Sequence, residues 1–313
     1  MGARLDPKRV MPILQAALRE DIGTRDLTSS AIIPSTATTK AEIIACQPGI
    51  VAGVPLVEWA CGLLDRGIRV KPMVREGDAV NADKALVFLE GPARPILSGE
   101  RTFLNIISRL SGIATLTRAF VERAKPYPVK ILDTRKTTPT LRYLEKYAVA
   151  VGGGYNHRMG LYDQVLIKEN HLQVIAQAIA AEHPGRHVAH TEVIADVLAR
   201  ATKAAPRGIK VEVEVRNLEE FRVALEHGAA LILLDNMPPE ELREAVRLRQ
   251  ESGNSAAARG SASARASQKV LLEASGGVTL DTVAAVAATG VDFISIGALT
   301  RDAPGLDVAL DIV

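Results

Sequence analysis

The chain has 313 residues, of which 47% are hydrophobic and 24% charged, a composition typical of a globular protein of about two domains. A net charge of +2, with five Phe, five Tyr and one Trp, disfavours nucleic-acid binding, which needs a basic surface or a stacking platform. Two cysteines cannot form a disulfide framework, and the apolar runs are far shorter than the ~20 residues of a membrane span. We therefore expect a cytoplasmic protein without a membrane or nucleic-acid partner.

The first 115 residues have the pattern of a mixed domain of helices and strands. Asp6 precedes a helical pattern as a cap, and apolar residues recur at helical spacing over Val10–Leu18. Short β-rich runs separated by turn sequences occupy Lys40–Leu97, and an amphipathic helix is predicted over Phe103–Ile113. These patterns predict a first domain over residues 1–115.

After Leu116, strand-like and helical segments alternate, which predicts a parallel sheet. Six runs fit strands: Val129–Leu132, Val165–Ile167, Val211–Val215, Leu231–Leu234, Val270–Glu273 and Phe293–Ile296. The sheet is either doubly wound or closed as a barrel, and because standard barrels have eight strands this one would be incomplete. Val149–Val151 could supply a seventh strand. Ser252–Gln268, rich in Ser, Ala, Arg and Gly, is predicted to be a flexible surface insertion without a catalytic role.

Polar, charged or glycine residues follow each of the six predicted strands. These endings are Asp133–Lys136, Lys168–His171, Glu214, Asp235–Asn236, Ser275–Gly277 and Gly297. In parallel α/β folds the carboxyl ends of the strands face one crevice, where ligands bind. Solvated loops are polar as well, but all six endings share this character, so the sequence predicts a ligand site there.

Basic residues outnumber acidic ones around the first two endings, with seven Lys or Arg against four Asp or Glu in residues 130–170. Four of them border a strand or a glycine turn: Arg135, Lys136, Arg158 and Lys168. Because Arg and Lys bind carboxylates and phosphates, we expect a substrate with more than one anionic group. Arg142 and Lys146, four residues apart on a helical stretch, are instead predicted to lie on a solvated face.

Glycines near the last two strands indicate phosphate binding. Ser275-Gly276-Gly277 precedes a helical run predicted over Thr279–Ala288, and Gly297 follows the next strand. Backbone N–H groups at a helix start bind phosphate, and glycine allows close approach of the ligand.

Carboxylates also end two neighbouring strands. Glu214 and Asp235 could hold Mg²⁺ together with substrate oxygens, or stabilise a positive centre. Glu212 points to the same face of its strand as Glu214. The pattern alone therefore leaves open which of these two glutamates is the site carboxylate.

Many segments closely resemble the quinolinate phosphoribosyltransferase family, also called nicotinate-nucleotide pyrophosphorylase (carboxylating). In the second half they are Asp133–Pro139, Glu145–Ala148, Gly152–Arg158, Leu166–His171, Val211–Val215, Leu233–Asn236, Glu273–Gly277 and Gly290–Thr300. In the first half they are Glu20–Gly23, Asp26–Ser29, Glu100–Thr102 and Leu110–Thr115. The likeness covers nearly the whole chain in order.

The resemblance implies a type II phosphoribosyltransferase fold. An N-terminal α/β sandwich domain (1–115), joined by the C-terminal tail (298–313), would precede an incomplete six- or seven-stranded α/β barrel (116–297). It also implies the reaction of quinolinate with 5-phosphoribosyl-1-pyrophosphate and Mg²⁺, which gives nicotinate mononucleotide, pyrophosphate and CO₂ in NAD biosynthesis. The family is dimeric, so a homodimer is expected.

The resemblance assigns the site residues by position. Those expected to bind quinolinate are Arg101, Arg135, His157, Arg158 and Lys168. Lys136, Glu214 and Asp235 would be catalytic and serve phosphoribosyl pyrophosphate, the two acids also its Mg²⁺. The remaining substrate-binding residues are Thr134 and, around the 5′-phosphate, Ser275, Gly276, Gly277 and Gly297. The equivalent of Arg101 reaches the partner subunit's site in this family.

Two positions depart from the family pattern. Thr140 stands where the family usually has Gly, and Ser252–Gln268 lengthens a connection that is usually short. The alternative functions are a related phosphoribosyltransferase of the nicotinate or molybdate-transport-associated type, and a non-catalytic phosphate-binding regulator on a partial barrel. The number of cations argues against a monocarboxylate substrate, and Glu214 with Asp235 argues against the regulator.

Overall fold

The computed structural model describes residues 4–183, 187–258 and 269–313, which form two compact units. The first unit comprises residues 1–121, 136–156 and 298–313, and the second comprises residues 122–135 and 157–297. Over the described ranges, no helix is both long and apolar enough to cross a membrane.

Helices and strands follow one another along the whole chain. Up to residue 124 they are α1 (Pro7–Ile22), α2 (Leu27–Ile32), β1 (Thr38–Ala45), β2 (Gly49–Ile50), α3 (Val54–Leu64), β3 (Arg69–Pro72), β4 (Ala79–Val80), β5 (Lys84–Pro92) and α4 (Ala93–Ala124). Up to residue 226 they continue with β6 (Lys130–Leu132), α5 (Arg142–Val151), β7 (Val165–Ile167), α6 (Glu169–Glu182), α7 (His190–Ala204), β8 (Val211–Val215) and α8 (Leu218–Glu226). The last are β9 (Leu231–Asp235), α9 (Pro239–Ala258), β10 (Leu271–Ser275), α10 (Val283–Ala287), β11 (Phe293–Ser295), α11 (Ala298–Arg301) and β12 (Val308–Ile312).

The first unit contains an antiparallel sheet in the order β12-β1-β5-β3. Its edge strand β12 comes from the C-terminal tail, the segment predicted to join this domain. Helix α1 begins at the predicted cap, where Asp6 Oδ1 accepts the Lys8 N–H at 3.0 Å. It buries Val10, Leu14 and Leu18, as the helical spacing predicts.

Residues 136–156 belong to the first unit, whereas the predicted boundary at residue 115 puts them in the barrel. Helix α5 is held there by the Tyr147 hydroxyl, which donates to Glu76 Oε2 at 2.5 Å. Gly152 then packs directly on α4, since an added Cβ would lie 2.6 Å from the Ala114 carbonyl oxygen. The possible seventh strand at Val149–Val151 is therefore the end of a helix, because a short buried apolar run does not distinguish the two structures.

The second unit contains a six-stranded parallel sheet in the order β6-β11-β10-β9-β8-β7. All six predicted strands are present. Strands β7 to β11 lie side by side in chain order, and the first strand of the sheet, β6, pairs with the last, β11. Pairing of the first strand with the last is typical of a barrel. Since β6 and β7 are the two ends of this order, the barrel is incomplete. The predicted fold class is confirmed, with six strands.

The predicted solvated face of α5 is wrong for Lys146, which is fully buried. Helix α5 buries consecutive residues from Leu144 to Val149, so the charged side chains of Glu145 and Lys146 lie in the interior. Arg142 is half-buried and donates from Nε to Thr137 Oγ1 at 2.9 Å. The predicted insertion at 252–268 starts within α9, and its residues 259–268 lie outside the described part of the chain.

Candidate active site

Four strand ends of the second unit lie level with one another. Leu132 pairs with Ser295, Ser295 with Ser275, and Ser275 with Asp235. Because the strands are parallel, the residues that follow them emerge at the same edge of the sheet. This edge therefore carries the predicted residues of four endings, namely Thr134, Arg135, Gly297, Gly276, Gly277 and Asp235.

The other two strands end at the same edge. Glu214 pairs with Leu233, and Ile167 pairs with Val213. Lys168 and Glu214 are the residues that come directly after this second pair, so they lie next to each other at the edge of the sheet. Lys168 Nζ lies 3.5 Å from Glu214 Oε2. The Glu169 N–H at the start of α6 donates to Glu214 Oε1 at 3.3 Å. A cation and a helix N-terminus thus stabilise the negative charge of this partly exposed carboxylate.

Glu212 and Glu214 face the same side of β8 but differ in depth. The Glu212 side chain is fully buried and accepts the Gln164 Nε2–H at 2.6 Å, whereas Glu214 is 11% exposed. A substrate reaching the strand ends would meet Glu214 first. The structure therefore favours Glu214 as the site carboxylate.

Both ring nitrogens of His157 face protein groups. Nδ1 accepts the Arg158 N–H at 2.7 Å, so the ring proton lies on Nε2. Nε2 is 3.2 Å from Glu212 Oε2 and 3.5 Å from Glu273 Oε1. The His157 N–H donates to Asp133 Oδ1 at 2.9 Å. The predicted contact of His157 with quinolinate stays a prediction, while these contacts show how the ring is fixed beside Arg158.

Arg158 itself is buried, which fixes its guanidinium within the second unit. Nη1 donates to the Gln164 carbonyl at 3.1 Å, and the neighbouring Gln164 amide in turn binds Glu212. Burial lowers the pKa of Arg158, and the nearby charge of Arg135 lowers it further. Two predicted quinolinate ligands are therefore close enough to repel each other. Such a cationic pair is favourable where an anion binds.

Glu273 was missed by the sequence reasoning. Burial raises the pKa of Glu212 to about 7 and that of Glu273 to about 8, and for Glu273 the adjacent Glu212 carboxylate is the next cause. Together with His157 these side chains offer three ligand atoms within 4.8 Å of one another. Mg²⁺ usually keeps several waters, which two fully buried carboxylates do not accommodate. The signal in the sequence was a glutamate inside an apolar strand, Leu271–Ser275.

The glycine turn after β10 fits closely against the end of β9. Gly276 has φ +94° and an added Cβ would lie 2.2 Å from Asn236 Oδ1, while Gly277, with φ +60°, faces open space. The Asn236 N–H donates to the Ser275 carbonyl at 2.8 Å. Asn236 Nδ2 also donates to Asp235 Oδ2 at 2.7 Å. The turn and the carboxylate therefore form one assembly at the sheet edge.

The helix predicted over Thr279–Ala288 is shorter, since α10 begins only at Val283. A turn precedes it, in which the Thr279 N–H donates to Thr282 Oγ1 at 2.9 Å. The expectation of a helix start directly after the glycines is therefore wrong. Gly277, whose backbone is exposed, stays a candidate for phosphate contact together with Ser275, Gly276 and Gly297.

Two predicted site residues belong to the first unit. Arg101 is exposed on α4, and Lys136 is exposed directly after Arg135 in the chain. The Lys136 carbonyl accepts the Thr300 Oγ1–H at 2.8 Å. Their roles toward the substrates stay predictions.

These residues lie in segments that match a known family. Residues 26–111 match the N-terminal domain of quinolinate phosphoribosyl transferase, and residues 113–311 match its C-terminal domain. The chain belongs to the quinolinate phosphoribosyltransferase family. Both domains of this family are therefore present, in the order that the resemblance implies.

Several proteins that are similar to this chain over nearly their whole length are named as the corresponding enzyme. A Bacillus subtilis (strain 168) protein named "Probable nicotinate-nucleotide pyrophosphorylase [carboxylating]" is 39% identical over 293 residues, which cover 94% of this chain and 90% of that protein. The nicotinate-nucleotide pyrophosphorylase (carboxylating) of Mycobacterium leprae (strain TN) is 37% identical, covering 96% and 95%. The solved nicotinate-nucleotide pyrophosphorylase from Francisella tularensis is 34% identical, with a TM-score of 0.83, and covers 99% and 98%.

Proposed function

We propose that the protein joins quinolinate to 5-phosphoribosyl-1-pyrophosphate and releases pyrophosphate and CO₂, forming nicotinate mononucleotide for NAD biosynthesis. The observation that carries this is the edge of the six-stranded sheet, where cations, two carboxylates and a glycine turn lie side by side. Each group has a use in this reaction. Family membership and the names of the relatives support the same activity.

Quinolinate carries two adjacent carboxylates, which the cationic part of the edge would neutralise. Arg135 and Arg158 offer planar guanidinium groups that can bind a carboxylate with two hydrogen bonds, and Lys168 offers a point charge. Arg158 is held at its Nη1 by the Gln164 carbonyl. Because this group is fixed before substrate arrives, less conformational freedom is lost on binding.

Glu214 and Asp235 would act on the ribose side. When the bond from C1 of the ribose to pyrophosphate breaks, the bonding electrons leave with pyrophosphate and positive charge develops on the sugar. Carboxylates beside that centre stabilise it. The quinolinate nitrogen then forms the new bond to C1 and becomes positively charged. The carbon–carbon bond to the adjacent carboxylate can now break, since the ring accepts its electron pair, and a proton replaces CO₂.

Glu214 and Asp235 also fit a magnesium site. Each presents carboxylate oxygens at the end of adjacent strands, and one oxygen of each has a hydrogen-bond donor that orients it. Mg²⁺ typically takes one or two carboxylates together with phosphate oxygens of the substrate. Bound there, the ion would neutralise charge on the departing pyrophosphate.

We further propose that the enzyme acts as a cytoplasmic homodimer in which Arg101 serves the partner subunit's site. The support is the resemblance at Glu100–Thr102 and the exposure of Arg101 on α4. Inactive Arg101→Ala protein mixed with inactive Arg158→Ala protein should recover part of the activity, because a hybrid dimer keeps one intact site. Absence of recovery despite measured subunit exchange would refute the shared site.

The reaction is tested with purified protein, Mg²⁺ and phosphoribosyl pyrophosphate, supplied with either quinolinate or nicotinate. We expect CO₂ and nicotinate mononucleotide from quinolinate only, because several cations border the site. Equal turnover of nicotinate would favour the monocarboxylate alternative. Binding of phosphoribosyl pyrophosphate without turnover of either acid would favour the non-catalytic regulator.

A further inference from the structure

A hydrogen-bonded network in the first unit, built around a buried glutamate, fixes the main chain that carries Lys136. At its centre is Glu145 on α5, whose side chain is fully buried. Glu145 Oε1 accepts from Arg109 Nη2 at 2.8 Å and from Thr138 Oγ1 at 2.8 Å. Glu145 Oε2 accepts the Thr138 N–H at 3.1 Å. One carboxylate thus holds both the backbone and the side chain of a residue two positions after Lys136.

The same network reaches Lys136 from the other side. Thr300, which is fully buried, donates from Oγ1 to the Lys136 carbonyl at 2.8 Å. Arg109 binds the segment that contains Thr300, donating to the Thr300 carbonyl and, from Nη1, to the Ala303 carbonyl at 3.0 Å. Arg109 therefore connects Glu145 to the residue that holds Lys136.

We propose that Thr300 and the Arg109–Glu145 pair are positioning residues for Lys136 in the phosphoribosyl pyrophosphate site. The Lys136 side chain is long, so its ammonium group can be placed reproducibly only if its own backbone is fixed. The main chain is held at the Lys136 carbonyl and at the Thr138 N–H, the two backbone groups that flank Thr137. This inference rests on the proposed function of Lys136. It adds that this function depends on Glu145 of α5 and on Thr300 of the C-terminal segment, with Arg109 connecting the two.

The burial of Glu145 explains why the network needs all its members. A buried carboxylate without donors is costly, and four hydrogen bonds from Arg109 and Thr138 offset that cost. Loss of one donor therefore leaves the carboxylate under-satisfied rather than merely removing one bond. The Thr300 hydroxyl donates to the Lys136 carbonyl and not to Glu145, so it can be removed without taking a donor from the buried carboxylate.

The test uses Thr300→Val, which keeps the shape of the side chain and removes the hydroxyl, and Thr300→Ser, which keeps the hydroxyl. We expect Thr300→Val to raise the KM for phosphoribosyl pyrophosphate about tenfold, since small misplacements of a ligand group are costly. The quinolinate KM should change less than about twofold, and Thr300→Ser should resemble the wild type. Thr289→Val is the matched control, because buried Thr289 also donates to a carbonyl, that of Val286 at 2.7 Å. Its kinetic constants should be those of the wild type.

Glu145→Gln provides the second arm, with melting temperatures measured for every variant. It should raise the KM for phosphoribosyl pyrophosphate more than Thr300→Val does, together with a lower melting temperature. The proposal is overturned if Thr300→Val leaves this KM unchanged, or if Thr300→Ser is equally impaired. It is also overturned if both substrates' KM values rise in parallel with the loss of thermal stability, since that is the behaviour of a purely structural residue.

Calorimetric binding of phosphoribosyl pyrophosphate to the same variants repeats the comparison without turnover. If the wild type binds this compound but forms no nicotinate mononucleotide, the proposed reaction fails while the order of affinities still tests the positioning. A wild type that does not bind phosphoribosyl pyrophosphate would overturn both. Affinities of Thr300→Val and wild type that agree within error would overturn the positioning alone.

Discussion

Nε2 of His157 lies 3.2 Å from Oε2 of Glu212, a carboxyl group that is fully buried. Nδ1 of the ring accepts the Arg158 N–H and carries no hydrogen, so Nε2 is the nitrogen whose hydrogen faces the glutamate. Glu273 approaches the same nitrogen at 3.5 Å. Two buried carboxylates therefore lie beside one imidazole nitrogen, and burial favours their protonated forms.

This cluster predicts that stability falls as pH rises. The ordinary pKa of a glutamate is 4.5, and burial raises the pKa of Glu212 to about 7 and that of Glu273 to about 8. The folded protein thus retains protons that the unfolded chain has lost, and this stabilisation is complete below pH 4.5 and lost as pH rises through the folded pKa. The free energy of unfolding should fall by up to about 1.4 kcal/mol per pH unit for each retained proton.

Urea unfolding at several pH values between 5 and 8 measures this slope. Glu273→Gln removes one titrating group, so its free energy of unfolding should depend less on pH than that of the wild type. Glu240→Gln, on the exposed side of α9, is the control and should keep the wild-type slope. A Glu273→Gln protein with an unchanged slope would show that this pair is not the source.

The strands and their polar ends could be predicted because buried parallel strands appear as continuous apolar runs, each ended by a change in polarity. The region between Lys136 and Asn156 could not be placed in the same way. Its helix α5 carries Lys146 and Glu145 in the interior, and only contacts distant in sequence, such as the Arg109 pair, make those positions internal. A helical charge spacing normally indicates solvent exposure.

The site shows the same division between local and distant information. The places of Glu214 and Asp235 at the ends of neighbouring strands could be predicted, whereas the difference in depth between Glu212 and Glu214 could not. That depth is set by Gln164 and His157, which cover Glu212. Glu273 carried only a weak signal, because a single glutamate in an apolar strand has no partner visible in the sequence.

Gly276 and Gly228 provide a matched pair for testing the turn at the sheet edge. Both have positive φ, but an added Cβ would collide with Asn236 at Gly276 and would meet nothing within 4 Å at Gly228. Gly276→Ala should displace Asn236 and with it Asp235, lowering kcat/KM for phosphoribosyl pyrophosphate about tenfold or more. Gly228→Ala, outside the predicted site, should cost about 1 kcal/mol of stability from its backbone conformation alone. Equal kinetic losses in the two variants would contradict the role given to the Asn236 contact.

Thr140 occupies a left-handed backbone conformation, with φ +68°, a region that favours glycine. A β-branched residue is strained there. Thr140→Gly should therefore raise the free energy of unfolding by about 0.5 kcal/mol, the relief of strain exceeding the entropic cost of glycine. Thr140→Val keeps the branch and should give no gain. The midpoint of urea unfolding at constant m-value measures both, and a Thr140→Gly midpoint below the wild type would contradict the strain argument.

Arg158 and Asp235 should separate binding of quinolinate from chemistry at the ribose. Arg158→Lys keeps the charge but loses the planar two-bond contact, so the quinolinate KM should rise about tenfold or more. Asp235→Asn keeps the size and removes the charge that would stabilise the positive ribose, so kcat should fall with little change in the quinolinate KM. Steady-state kinetics with each substrate varied in turn distinguishes the two, and Arg222→Lys, an exposed arginine on α8, serves as the control for the Arg-to-Lys change. If Asp235→Asn raised only the quinolinate KM and left kcat intact, the carboxylate would act on the other substrate, and the assignment of the strand-end acids to phosphoribosyl pyrophosphate would be wrong.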